Sequence, residues 1–194
     1  MVRPRTAVVA RHMSREDIVP LIHQQEIAGA LPSTPPRIVL MDSYSELTDQ
    51  LFVHSRQRWE FCCNYSDIEH TNEFTKQFEE CGLLPIEQLE SSYRQYFSLL
   101  RSRHGNVPIV FLHFPTKLDR RERFHRRAEA ILTSIERIST EFDPFYSIAI
   151  DDAVVDWPEQ VDTGNSGPDD FPYHYNGATY RAFAEKIREQ VQMP

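Results

Sequence analysis

The chain has 194 residues, 40% of them hydrophobic and 26% charged, and a formal net charge of -8. With a mean hydropathy of -0.51, these values fit a globular protein with its own core rather than a disordered or membrane-embedded one. The acidic balance argues against nonspecific binding to nucleic acid or anionic lipid, and no apolar run approaches the roughly 18 residues of a bilayer span.

Met1–Thr6 carries two arginines but no apolar stretch of the kind a secretory leader needs. Three cysteines without framework spacing point to reduced thiols and a cytoplasmic setting. Thr6–Ala10 is an apolar run and predicts a buried strand. Ser14 to Asp17 reads as a capping box ahead of Ile18, Leu21 and Ile22, with Pro20 in the first turns. Leu31–Pro36 holds three prolines and predicts a loop leading into a second strand, Arg37–Met41. Gln57–Lys76 mixes aromatic and polar residues and reads either as irregular or as partly helical. Ile86, Leu89, Tyr93, Tyr96, Phe97 and Leu100 form the stripe of a helix over Ile86–Arg103. Val107–His113 predicts a third strand. Thr116 to Asp119 caps a helix whose apolar face carries Phe124, Ala128, Ile131, Leu132, Ile135 and Ile138. Tyr146–Ile150 predicts a fourth strand, and Asp151–Tyr175 a long polar loop. A last helix follows Asn176, with Ala178, Phe183, Ala184, Ile187 and Val191 on its apolar face. Strands that alternate with helices predict one three-layer α/β/α domain over residues 1–194, with a mainly parallel sheet of four to five strands.

Parallel strands joined by right-handed crossovers bring their C-terminal ends to one edge, where ligands bind in open α/β sheets. Arg11-His12, Asp42-Ser43, His113 and Asp151-Asp152 stand at those ends, and the long loop returns His174 to the same edge. Imidazole titrates near neutrality, which makes His174 the candidate general base, with Asp169 or Asp170 to orient it. Ser43 is the candidate nucleophile, and backbone N–H groups after Asp42 are candidate oxyanion donors. The alternative for Asp42 and Ser43 is a turn or a helix cap. Asp42, Tyr44, His113, Asp151 and Tyr173 are the candidate substrate contacts. The remaining histidines lack metal-ligand spacing, and the six glycines form no nucleotide-binding loop, so neither metal nor cofactor is expected. Arg120, Arg121, Arg123, Arg126 and Arg127 form a local basic run, read as a solvated helix face or an anion contact.

Three features resemble the SGNH/GDSL hydrolases: Asp42-Ser43-Tyr44-Ser45 after a strand, the strand Val107-Pro108-Ile109-Val110-Phe111-Leu112-His113, and Asp169 to His174 ahead of a last helix. The resemblance implies a flavodoxin-like fold and ester hydrolysis or acyl transfer on an acylated small molecule or glycan. It can be laid on the chain in two registers. In one, Asp42-Ser43 is the nucleophile block, with Met41 where the family has glycine. In the other, the same residues fall at a later strand end. The first strand and its Gly-Asp-Ser block are then missing, and the chain is a catalytically silent binding subunit completed by a partner chain or a second copy. Asp170 stands four residues before His174 rather than three, and Phe171 occupies the family's acid position.

Overall fold

The computed structural model describes residues 5–26, 36–157 and 174–191. In chain order the elements are α1 (Thr6–Val9), a 3-10 pair (Ala10–His12, Glu16–Ile18), α2 (Val19–Glu26), β1 (Val39–Asp42), α3 (Tyr44–Thr48), β2 (Asp49–His54) and β3 (Glu60–Asn64). They continue with a 3-10 turn (Tyr65–Asp67), α4 (Asn72–Gln77), β4 (Phe78–Gly82), α5 (Ile86–His104), β5 (Ile109–Leu112) and α6 (Glu122–Ile138). Two further 3-10 turns (Ser139–Phe142, Asp152–Val154) flank β6 (Phe145–Ile148), and α7 (Gly177–Val191) closes the described chain. Where the sequence reads as one domain, the contacts group the residues into two compact units. The first comprises Met1–Thr34 and Ser45–Pro85, the second Pro35–Tyr44 and Ile86–Pro194.

The first unit is built on an antiparallel sheet in the order β3-β2-β4. Its strand β3 alternates: Phe61 and Cys63 are buried while Glu60 and Cys62 are exposed. Phe52 stacks on Phe61 at 5.2 Å and Phe74 on Phe78 at 4.9 Å, and Trp59 is fully buried among them. Thr71 caps α4, its Oγ1 accepting the Phe74 N–H at 3.2 Å, which orients Phe74 into this core. Burial and neighbouring acids push the Cys63 thiol well above its ordinary range, so it is a packing group rather than a nucleophile.

Three expectations change here. Thr6–Ala10 is helical, not a strand; Val9 packs into the aromatic core and adds nothing to a parallel sheet. A five-residue apolar run has no periodicity to separate the two states. Ser14 does not cap a helix: its hydroxyl donates to Ser66 O at 3.2 Å, and the helical turn begins at Glu16 with no side-chain cap. Gln57–Lys76 resolves into β3, a 3-10 turn and α4.

The second unit is a βαβαβα chain. Among the described residues its sheet has three parallel strands in the order β1-β5-β6, so the predicted α/β class holds with fewer strands. The register pairs Val39 with Ile109 and Asp42 with Leu112, then Ile109 with Phe145 and Leu112 with Ile148. All three strands therefore end level. Central β5 is buried at Ile109, Val110 and Phe111. Tyr93 and Phe97 of α5 meet the Phe111 ring edge-on at 5.4 and 6.3 Å. Of the predicted α5 stripe, Ile86 and Tyr96 are exposed and the other four are buried. α6 packs beside α5 and buries Phe124, Ile131, Ile135 and Ile138. Its cap is not at Thr116–Asp119. Asp119 instead accepts the Arg121 N–H at 2.8 Å, one turn ahead of the helix.

Arg101, near the end of α5, donates from one guanidinium nitrogen to Val107 O and to Gly105 O at 3.2 Å, and from the other to Phe142 O and to Pro144 O at 3.0 Å. These carbonyls lie just ahead of β5 and β6. Burial holds the guanidinium below its ordinary pKa range.

Two stability outcomes follow. Phe74→Ala removes a fully buried ring and should cost about 3–5 kcal/mol in urea unfolding. Arg101→Met removes the guanidinium donors from these carbonyls, leaving Pro144 O only its Ile109 N–H, and should cost about 2–4 kcal/mol; a loss below about 0.5 kcal/mol would show that the clamp is dispensable.

Candidate functional site at the strand ends

Because β1, β5 and β6 end level, the residues that follow them emerge at one edge. Ser43 follows β1, His113 follows β5, and Asp151 lies shortly beyond β6. Asp42 makes a local turn: its Oδ1 accepts the Tyr44 N–H at 2.9 Å, bending the chain out of the strand.

Ser43 is 2% exposed. Its N–H donates to Leu112 O at 3.2 Å, and its Oγ accepts the Phe114 N–H at 2.9 Å. The serine thus staples the ends of β1 and β5 together. Both N–H groups that follow Asp42 are committed, Ser43 to Leu112 and Tyr44 to Asp42, which corrects the expectation that they are oxyanion donors. The Tyr44 ring lies 4.9 Å from that of Phe114.

His113 is buried, with Nε2 at 2.8 Å from Ser147 Oγ on β6 and its ring 5.1 Å from that of Phe111. Its Nδ1 is buried with no hydrogen-bond partner among the described residues. Burial lowers its pKa from the ordinary 6.5 to about 4, so the ring is neutral at physiological pH. Asp151 is exposed and caps the 3-10 turn, its Oδ1 accepting the Ala153 N–H at 2.8 Å.

His174 is exposed. The residues on its C-terminal side are held firmly. Tyr175 is buried, its hydroxyl donates to Pro115 O at 2.5 Å, and its ring lies 5.4 Å from Phe114. Asn176 N–H donates to Asp156 O at 3.1 Å, and Asn176 Oδ1 accepts the Thr179 N–H at 2.9 Å, capping α7. Thr179 is fully buried; its hydroxyl donates to Val154 O at 2.8 Å and accepts the Asp156 N–H at 3.2 Å. Lys117 Nζ donates to Asp152 O and Val155 O, each at 2.7 Å. α7 docks in part through Thr179; of the predicted apolar face Phe183, Ile187 and Val191 are half-buried, while Ala178 and Ala184 are exposed. Asp169, Asp170 and Tyr173 lie outside the described residues.

Ser43 and His174 are thus linked through Phe114, whose N–H binds one and whose ring meets the residue beside the other. Tyr175, Thr179 and Lys117 escape the sequence reading, because bonds to backbone carbonyls leave no residue pattern. Arg121 of the basic run pairs with Asp119 at 2.6 Å and lies over the Phe124 ring at 3.7 Å. Among the described residues no cluster of three or more His, Cys, Asp or Glu is arranged to hold a metal ion, and no helix is long and apolar enough to cross a membrane. No protein-family model, curated protein or solved structure matches the chain.

His113 makes stability depend on pH. Its folded pKa lies below the unfolded value, so its neutral form is fully stabilising above about 6.5. That contribution is lost as pH falls from 6.5 to about 4, and amounts to about 3 kcal/mol at most. Urea unfolding at pH 7 and pH 4.5 should show a smaller drop for His113→Gln than for the parent. Parallel drops would sink the assignment.

Proposed function

We propose that the strand-end edge of the second unit is one side of an SGNH-like ester site, with His174 as general base, acting on an acylated small molecule or glycan. The observation that carries this reading is the anchoring of Tyr175 and Asn176 to Pro115 and Asp156. These bonds tie the chain next to His174 to the segments that follow β5 and β6. Asp169 and Asp170 remain the proposed orienting acids, and Tyr173 a proposed substrate contact.

The nucleophile comes from elsewhere in this reading. Ser43 is buried, and its hydroxyl oxygen and N–H serve the β1–β5 junction. β1, β5 and β6 then correspond to the later strands of a flavodoxin-like, three-layer sheet. β1 is an edge strand of the sheet among the described residues, and its outer side receives the strand that brings the serine, from a partner chain or a second copy. Without that serine the chain alone is a binding subunit, silent in serine-dependent turnover of its natural ester though still carrying the His174 imidazole. In the completed site the serine oxygen attacks the acyl carbonyl while His174 takes its proton. The imidazolium returns that proton to the leaving alcohol. Water, deprotonated by the same ring, then releases the acid.

A second reading makes Ser43 the nucleophile, favoured by the linkage through Phe114 to Tyr175. Intact-mass analysis after a fluorophosphonate probe separates the two. The first reading expects no adduct on the folded chain and association in sizing with light scattering. An adduct on the parent that disappears in Ser43→Ala and His174→Ala overturns it in favour of the second. An unlabelled, monodisperse monomer counts against the partner-completed site. His174→Ala should change stability by less than about 1 kcal/mol, as an exposed position does.

A further inference from the structure

We propose that Tyr175 is a positioning residue for His174, holding the imidazole over the strand ends through the hydroxyl bond to Pro115 and the ring contact with Phe114. The inference rests on the reading of His174 as the base. Tyr175 is buried although it adjoins an exposed residue, and its one polar atom is spent on a backbone carbonyl directly beyond β5. Phe114, which receives the ring, also donates its N–H to Ser43, so the tyrosine leans on the junction where β1 and β5 are stapled. On the other side Asn176 is tied to Asp156 and caps α7. The backbone next to His174 is therefore fixed to the segments that follow β5 and β6, at Pro115 and Asp156. A base delivered by a loop needs such a clamp, because a displacement of about 1 Å at a reacting group costs on the order of a hundredfold in rate.

The role is tested with p-nitrophenyl acetate, which imidazole cleaves without a serine. A ring nitrogen attacks the acetyl carbonyl, p-nitrophenolate leaves with the bonding electron pair, and water hydrolyses the acetyl-imidazole to acetate. The saturable part of the hydrolysis by the full chain is measured for the parent, His174→Ala, Tyr175→Phe and Phe114→Leu, alongside each variant's urea midpoint. His174→Ala should abolish the saturable part. Tyr175→Phe keeps the ring and loses the tether. It should lower kcat about tenfold, leave KM within about twofold, and leave the pH at which the rate levels off unchanged. Phe114→Leu, which retains the N–H to Ser43, should lower kcat in the same way and serves where Tyr175→Phe folds poorly. Saturable hydrolysis that survives His174→Ala defeats the base reading, and this role with it. Loss in His174→Ala with full kcat in both Tyr175→Phe and Phe114→Leu defeats the positioning role alone, whatever happens to the urea midpoints.

Discussion

The Arg101 guanidinium sets where two of the three parallel strands begin. Its donors collect the carbonyls of Val107, Phe142 and Pro144, so the approaches to β5 and β6 are gathered at the C-terminal end of α5. Ile109 N–H then bonds Pro144 O at 3.1 Å, and the ladder runs in step from there. A cation at a helix C-terminus also suits the carbonyl-rich end of the helix dipole. Because the strands start in register and have equal length, they finish in register. The level ends of β5 and β6, the first of them followed by His113, thus go back to an interaction at the opposite end of the sheet.

At that edge, short polar bonds to backbone groups do most of the holding. Ser43 binds the Phe114 N–H, Tyr175 binds Pro115 O, Thr179 binds Val154 O, and Lys117 binds the carbonyls of Asp152 and Val155. Each satisfies a main-chain group that turns or loops would otherwise leave to solvent. The division of labour explains why Ser43 looks like a nucleophile in sequence and like a staple in structure. An Asp-Ser pair after a strand suits both tasks, and only the direction of the hydroxyl distinguishes them.

The parallel sheet was the legible part of this chain. Its strands are apolar runs bounded by proline, glycine and acids, and its long helices carry clear stripes. Helix α7 was legible in position, but its docking adds a buried threonine to the half-buried Phe183, Ile187 and Val191 of the apolar face. The antiparallel sheet was harder to see. β4 reads Phe-Glu-Glu-Cys-Gly, with one core residue, and β2 begins with two polar residues. The alternation Trp59, Phe61, Cys63 was a usable signal for β3. At the candidate site, the parallel register puts the residues that follow β1, β5 and β6 at one edge of the sheet, as the alternation of strands and helices implied. The commitments of Ser43 and the Ser147 partner of His113 depend on register across strands, which no local pattern encodes.

The chain order of the two units has a consequence for biosynthesis. β1 belongs to the second unit, yet in sequence it lies between the two segments of the first, Met1–Thr34 and Ser45–Pro85. The first unit is therefore complete in sequence before any residue of β5 has been made. Domains fold as units while synthesis proceeds at about 5–20 residues per second. For the seconds that separate Pro85 from Leu112, β1, with the sequence Val-Leu-Met-Asp, has been made while its partner strand has not. During that interval its hydrogen-bonding groups lack both β5 and the Ser43 staple, and this is when the chain is most exposed to pairing with the wrong strand.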